Sequence, residues 1–217
     1  MTGRRYPATI TAPIEHELVI KKSRFIAHVE PAASPDEADA IIARIRKQAW
    51  DARHNCVAMV TGLLGDQARS SDDGEPSGTA GVPMLDVLRR RELTDVVAVV
   101  TRYFGGIKLG AGGLVRAYSS AVSEALDRAA LVRREALTQA LVDAPHADAG
   151  RYDNILRDWV SHRGATLGDT TYGAGVTFEL WVPAAALDRL RDDIAAASAG
   201  SLAPRVGGER VVDVPVR

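Results

Sequence analysis

The chain has 217 residues, 46% of them hydrophobic and 25% charged, with a formal net charge of −1. That length suits one large or two small domains, and the composition excludes an intrinsically disordered chain. The near-neutral balance excludes a uniformly basic nucleic-acid coat protein, so any nucleic-acid role has to rest on a local patch.

The charge is uneven. Residues 1–137 carry 19 Lys+Arg against 17 Asp+Glu, and residues 138–217 carry 8 against 11. All four lysines, Lys21, Lys22, Lys47 and Lys108, fall in the first part. Two domains with different surfaces are expected. A single cysteine, Cys56, cannot form an intrachain disulfide, so a reducing compartment is the default. No apolar run reaches the length of a membrane span, and no signal-type apolar core follows Arg4 and Arg5. A cytoplasmic location without membrane association is expected.

In chain order, "LVIKKSRFIAHVE" (18–30) reads as extended. Ser34, Pro35 and Glu37 mark a helix start with a capping box, and Ala38, Ile41, Ile42, Ile45 and Ala49 keep helical spacing behind it. "NCVAMVTG" reads as a buried strand. Residues 65–81, "GDQARSSDDGEPSGTAG", have loop composition, and a short helix is expected after Pro83. "TDVVAVVTRYF" is the strongest strand, followed by five glycines and a helix carrying Leu114, Ala117, Tyr118, Ala121, Val122, Ala125 and Leu126.

Beyond the boundary near Arg134–Thr138 the pattern changes. "LTQALVDAP" reads as a strand, "HADAGRYDNILRDWVSHRG" as a helix and "TLGDTTYGAGVTFELWV" as a hairpin. "AAALDRLRDDIAAASAG" reads as a second helix and "ERVVDVPV" as a closing strand. The order β-α-β-β-α-β is that of a ferredoxin-like domain. The expected architecture is α+β in two domains, 1–135 and 136–217.

Three constellations carry possible chemistry. The first is "TRYFGGIKLGAGGLVRAY". Gly105, Gly106, Gly110, Gly112 and Gly113 lie between a strand and a helix, with Lys108 and Arg116 close by and Arg102 just before. Glycine permits close backbone approach, and a helix start presents N–H groups and a positive dipole end. Together these form a candidate phosphate contact, although the string is neither a P-loop nor a dinucleotide fingerprint. A tight turn without a ligand is the alternative.

The second is the acidic run with Asp72, Asp73 and Glu75. These side chains suit a hard cation, or hydrogen bonds to the neighbouring cations, but the spacing is not that of a calcium loop. The third pairs His54 with Cys56, which share a strand face but have no orienting third group. They read as a strand-edge histidine and a buried thiol. His16, His28, His146 and His162 are too scattered for a zinc site, Ser70, Ser71 and Ser77 lack a nucleophile elbow, and Arg89–Arg91 reads as a solvated helix end.

Four stretches in this order, "KKSRFIAHV", "ARHNCVAMV", "DDGEPSGTAGVPML" and "VVTRYFGGIKLGAGGLVRAY", resemble the IMPACT/YigZ family. The likeness is close over 18–126 and follows the domain order to 217; Val57 stands where an aromatic is expected. The resemblance implies an N-terminal α/β sandwich similar to the second domain of a small-subunit ribosomal protein and to domain IV of elongation factor G. It implies a C-terminal ferredoxin-like domain similar to domain V of that factor. Family members look like translation- or stress-related regulators. The expectation is therefore a non-enzymatic cytoplasmic regulator that contacts RNA or the ribosome through the glycine turn, with the acidic loop positioning its cations and no cofactor required. A protein-interaction module acting on translation machinery is the first alternative. A metal-assisted hydrolase using Asp72, Asp73, Glu75 and His54 is the second.

Overall fold

The computed structural model describes residues 6–215. Arg4 and Arg5, and Val216 at the end of the expected closing strand, lie outside them. The chain folds as two units, residues 6–133 and residues 134–213. No helix among the described residues is long and apolar enough to cross a membrane.

In the first unit a short β1 (Thr9–Ile10) precedes β2 (Ile14–Ile20) and β3 (Ser23–Pro31), then α1 (Pro35–Gln48), β4 (His54–Thr61), β5 (Gln67–Ser71), α2 (Gly81–Arg90), β6 (Val96–Tyr103) and α3 (Ala111–Leu126). The sheet order is β2-β3-β6-β4-β5, antiparallel throughout. Alternation along the central strands divides their side chains between two cores. Phe25, Ala27, Val29, Cys56, Ala58, Val96, Ala98 and Val100 pack with α2 and α3. Val57, Met59, Val97 and Val99 pack with α1 through Ala38, Ile42 and Ile45. The result is a three-layer sandwich.

Helix α1 starts as its capping signal requires: the Ser34 hydroxyl accepts from the Glu37 N–H at 3.2 Å. The Glu37 carboxylate reaches back one residue further than a capping box, accepting from the Ala33 N–H at 2.8 Å.

Two expectations need correction. Residues 18–30 are not one extended segment but parts of two strands joined by a two-residue turn, with Ile20 opposite Ser23. Lys21 and Lys22 both adopt positive φ, 45° and 66°, the conformation of a type I′ hairpin that normally selects Asn-Gly. Residues 65–81 are not all loop. Gln67–Ser71 form edge strand β5, paired with β4, and α2 begins at Gly81, ahead of Pro83.

In the second unit β7 (Leu131–Ala144) is followed by α4 (Ala149–Ser161), β8 (Thr166–Tyr172), β9 (Val176–Pro183), α5 (Leu187–Ala197) and β10 (Arg205–Pro215). The first residues of β7, Leu131 and Val132, pair with β1 inside the first unit. β10 pairs with β7, β7 with β9 and β9 with β8, so in chain order the strands lie 4-1-3-2. Ala140, Val142, Phe178, Leu180 and Val182 pack against Leu156 and Trp159 of α4 and Leu190 and Ile194 of α5. This is the ferredoxin-like arrangement.

Candidate anion-contact site

The register fixes which loops meet. Arg24 lies opposite Tyr103, and Arg102 opposite His54, so β3 begins, β4 begins and β6 ends at one end of the sheet. The Lys21–Lys22 hairpin tip, the α1–β4 connection and the glycine turn after β6 all gather there. The Tyr103 hydroxyl donates to Asp51 Oδ1 at 2.9 Å, tying two of them together.

The glycine turn is held from below. The Gly105 N–H donates to the buried Ser23 hydroxyl at 3.1 Å. A Cβ at position 105 would collide with the Lys22 carbonyl group, so this glycine answers to the hairpin tip pressed against it. Gly110, at φ 72°, is the N-cap of α3 and makes no side-chain capping bond. The first turn of α3 contains no acidic residue, whereas α1 has Asp36 and Glu37 there. Gly106 also has positive φ. Gly112 and Gly113 are helical residues of α3, and neither takes positive φ. The Arg116 Nη1 lies 3.7 Å from where a Gly112 side chain would begin, which sets the guanidinium over the first helical turn. Lys21, Lys22, Lys108 and Arg116 are exposed, and none pairs with an acidic side chain among the described residues.

Arg102 is placed differently from the expectation. Strand alternation turns it under the glycine turn, where only 7% of it is exposed. Its Nη1 donates to Glu75 Oε1 at 2.6 Å, and the Tyr118 hydroxyl donates to the same oxygen at 2.8 Å. The guanidinium contacts two rings, 5.3 Å from the Phe25 centroid and 5.6 Å from that of Phe104. Its Nε is buried without a hydrogen-bond partner. Phe25 meets Tyr118 edge-on at 5.2 Å.

The acidic loop divides its carboxylates among separate tasks. Asp72 accepts backbone N–H bonds from Gly78, Ala80 and Gly81 at 2.8–3.0 Å, and so caps α2. Burial alone would raise its carboxyl pKa, but those three N–H groups hold it below the usual range. Asp73 accepts from the Asn55 N–H at 2.7 Å and from Arg46 at 2.9 Å. Glu75 serves Arg102 and Tyr118. Thus the loop positions Arg102, while Lys108 and Arg116 receive none of its carboxylates. His54 Nδ1 meets the Asp73 carbonyl at 2.9 Å. Cys56 is fully buried and donates to the Asp72 carbonyl at 3.0 Å; burial pushes its thiol up to about 12. Burial likewise pushes the Tyr118 hydroxyl upward, with Cys56 and Glu75 adding to the effect. Among the described residues the three carboxylates and His54 are held by different partners and form no group of three that could hold one ion.

Arg91 is also engaged, with Asp127 and the Ser123 hydroxyl, rather than free on a solvated face. Sequence reasoning overlooked Ser23, Phe25, Phe104 and the hairpin tip. An aromatic immediately before Gly-Gly and two lysines between apolar runs were the available signals.

Residues 21–126 match the Impact N-terminal domain, and residues 142–201 match a domain of unknown function, DUF1949. The chain is 47% identical over 174 residues to the IMPACT family member YvyE of Bacillus subtilis, covering 80% of this chain and 78% of that one. The chain belongs to the IMPACT family. It is also 37% identical over 193 residues to the IMPACT family member YigZ of Escherichia coli, covering 88% of this chain and 93% of that protein. Among solved structures, one described as a hypothetical protein superposes with a TM-score of 0.59 at 34% identity, covering 93% of this chain and 97% of that one. The motifs of the sheet end, from Lys21 to the α3 helix, fall within the Impact N-terminal match.

Proposed function

We propose that this chain is a non-enzymatic regulator of translation that contacts RNA, free or in the ribosome, through the glycine turn and its cations. The observation that carries this reading is the first turn of α3. Its N–H groups open from an uncapped Gly110, the backbone at Gly112 is bare, and the Arg116 guanidinium lies over it. Lys108 and the Lys21–Lys22 tip add charge that no carboxylate neutralises among the described residues. A helix N-terminus with adjoining cations is a receptor for phosphate oxygens. Contacts of this kind set position and salt-dependent affinity, and leave sequence choice to other groups. Membership of the IMPACT family supports the translational setting.

The test is a salt series of binding to ribosomal RNA and to ribosomes. Lys108→Ala and Arg116→Ala are exposed changes expected to leave stability within about 0.5 kcal/mol. Each should flatten the slope of log K against log salt by about 0.9. Identical slopes for variants and parent, or no binding by the parent, would leave the stretch a structural turn and favour a protein-interaction module.

A further inference from the structure

Exposed aromatic surface stands beside the cations. Phe104 is 53% exposed although it directly follows β6, and Trp50, 82% exposed, is the most open large apolar side chain among the described residues. The two are linked through the Tyr103–Asp51 hydrogen bond, since Phe104 follows Tyr103 and Trp50 precedes Asp51. Phe104 is not loose. Its ring rests on the Arg102 guanidinium, and Arg102 is itself held by Glu75 and by contact with the Phe25 ring. A ring so backed offers a π face to solvent at little loss of side-chain freedom. The acidic groups at this sheet end are already engaged: Asp51 by Tyr103, Asp73 by Arg46 and Glu75 by Arg102. Lys22, whose backbone presses on Gly105, and Lys108, four residues beyond Phe104, have no such partner among the described residues.

We propose that this surface takes single-stranded RNA, with one unpaired base stacked on Phe104, a second on Trp50, and the intervening phosphates on the glycine turn and Lys22, Lys108 and Arg116. The inference rests on the phosphate-contact reading above and adds the class of nucleic acid. In an A-form duplex the base faces are stacked inside, so an aromatic side chain finds no base face to stack on along the helix. In a single strand every base has a face to offer, and aromatic side chains beside a cationic track are the usual receptor. Charge complementarity favours a polyanion over an apolar peptide, because such a peptide would leave the lysines unneutralised.

The experiment uses the full chain, a fluorescent unstructured RNA of ~12 nucleotides, within the usual site sizes, and a duplex of the same length, across a salt series. The parent should bind the single strand more tightly than the duplex. Phe104→Leu keeps the apolar bulk over Arg102 but removes the π face. It should weaken single-strand binding roughly 5- to 150-fold, the range for one base–aromatic stack, and leave duplex affinity and the salt slope unchanged. Phe104→Trp should restore binding, and Trp50→Leu should weaken it as Phe104→Leu does. Unchanged single-strand affinity in either leucine variant, an equal loss for single strand and duplex, or a duplex bound as tightly as the single strand would overturn this inference and leave the phosphate reading standing. No binding of either RNA by the parent would overturn both.

Discussion

Arg102 and Glu75 form a charge pair at 2.6 Å, their side chains 7% and 3% exposed, joining the end of β6 to the acidic loop 27 residues earlier. The pair is the floor of the glycine turn, since Phe104 lies on the guanidinium. Breaking a buried pair leaves an uncompensated charge, whereas replacing both partners with apolar groups is often tolerated. Glu75→Ala should therefore destabilise the first unit by about 3–5 kcal/mol in urea unfolding. Glu75→Leu combined with Arg102→Met should recover most of that loss. A double variant as unstable as the single one would show that the pair does not act as a unit.

Cys56 gives a prediction in pH. Its thiol is raised from an ordinary 9.0 to about 12, chiefly by burial. Below pH 9 both folded and unfolded chains keep the proton, and the contribution to stability is fully present. Between pH 9 and 12 the unfolded chain releases a proton that the folded chain holds, so stability falls by about 1.4 kcal/mol per pH unit. Cys56→Ala should show a shallower alkaline loss than the parent when urea midpoints are compared from pH 8 to 10.5. The native thiol should also resist aromatic disulfide reagents at pH 8 until the chain is unfolded. Rapid native labelling, or identical alkaline slopes, would contradict the burial argument.

The glycines of the turn should separate into two kinds. At Gly105 a side chain collides with the Lys22 backbone, so Gly105→Ala should cost about 1–3 kcal/mol, as overpacking does. Gly112 is exposed and helical with nothing closer than Arg116, so Gly112→Ala should raise stability by about 0.5–1 kcal/mol through helix propensity. If phosphate approaches the bare backbone there, the same change should weaken RNA binding. Higher stability with unaltered binding would remove Gly112 from the contact.

The hairpin tip should respond in the opposite sense. Lys21 and Lys22 hold left-handed conformations that cost non-glycine residues roughly 1–2 kcal/mol each. Replacing them by Asn-Gly should stabilise the first unit by about 1–2 kcal/mol, because that dipeptide suits a type I′ turn. If both lysines contact phosphate, the salt slope should fall by about 1.8, from 0.9 per contact. A stable variant with an unchanged slope would show the tip to be a bystander.

Much of the fold was legible where local pattern and tertiary demand agree. Ser34 and Glu37 marked the α1 start, Val96–Val100 the central strand, and Leu114 to Leu126 the buried stripe of α3. The hairpin was hidden because lysines occupy a turn whose usual signature is Asn-Gly. The glycine turn was visible as a feature, but the fate of Arg102 was not. Its cationic side chain reads the same in solvent or under a turn, and only Glu75, distant in sequence, decides between them. Asp72 was legible as acidic but not as a cap, since α2 begins before the proline that seemed to announce it.

Strand β5 was missed for a reason with its own consequence. It ends the five-stranded sheet, and its five residues, Gln67 to Ser71, include neither a β-branched nor a large apolar side chain. Its Arg69 pairs with Asp39 of α1. An unpaired strand edge is a template on which another chain can add itself, and short, polar, charged edges discourage that addition. The polarity that hides β5 from a reader of the sequence also hides it from neighbouring molecules, so at this edge the sheet is guarded against growing into an aggregate.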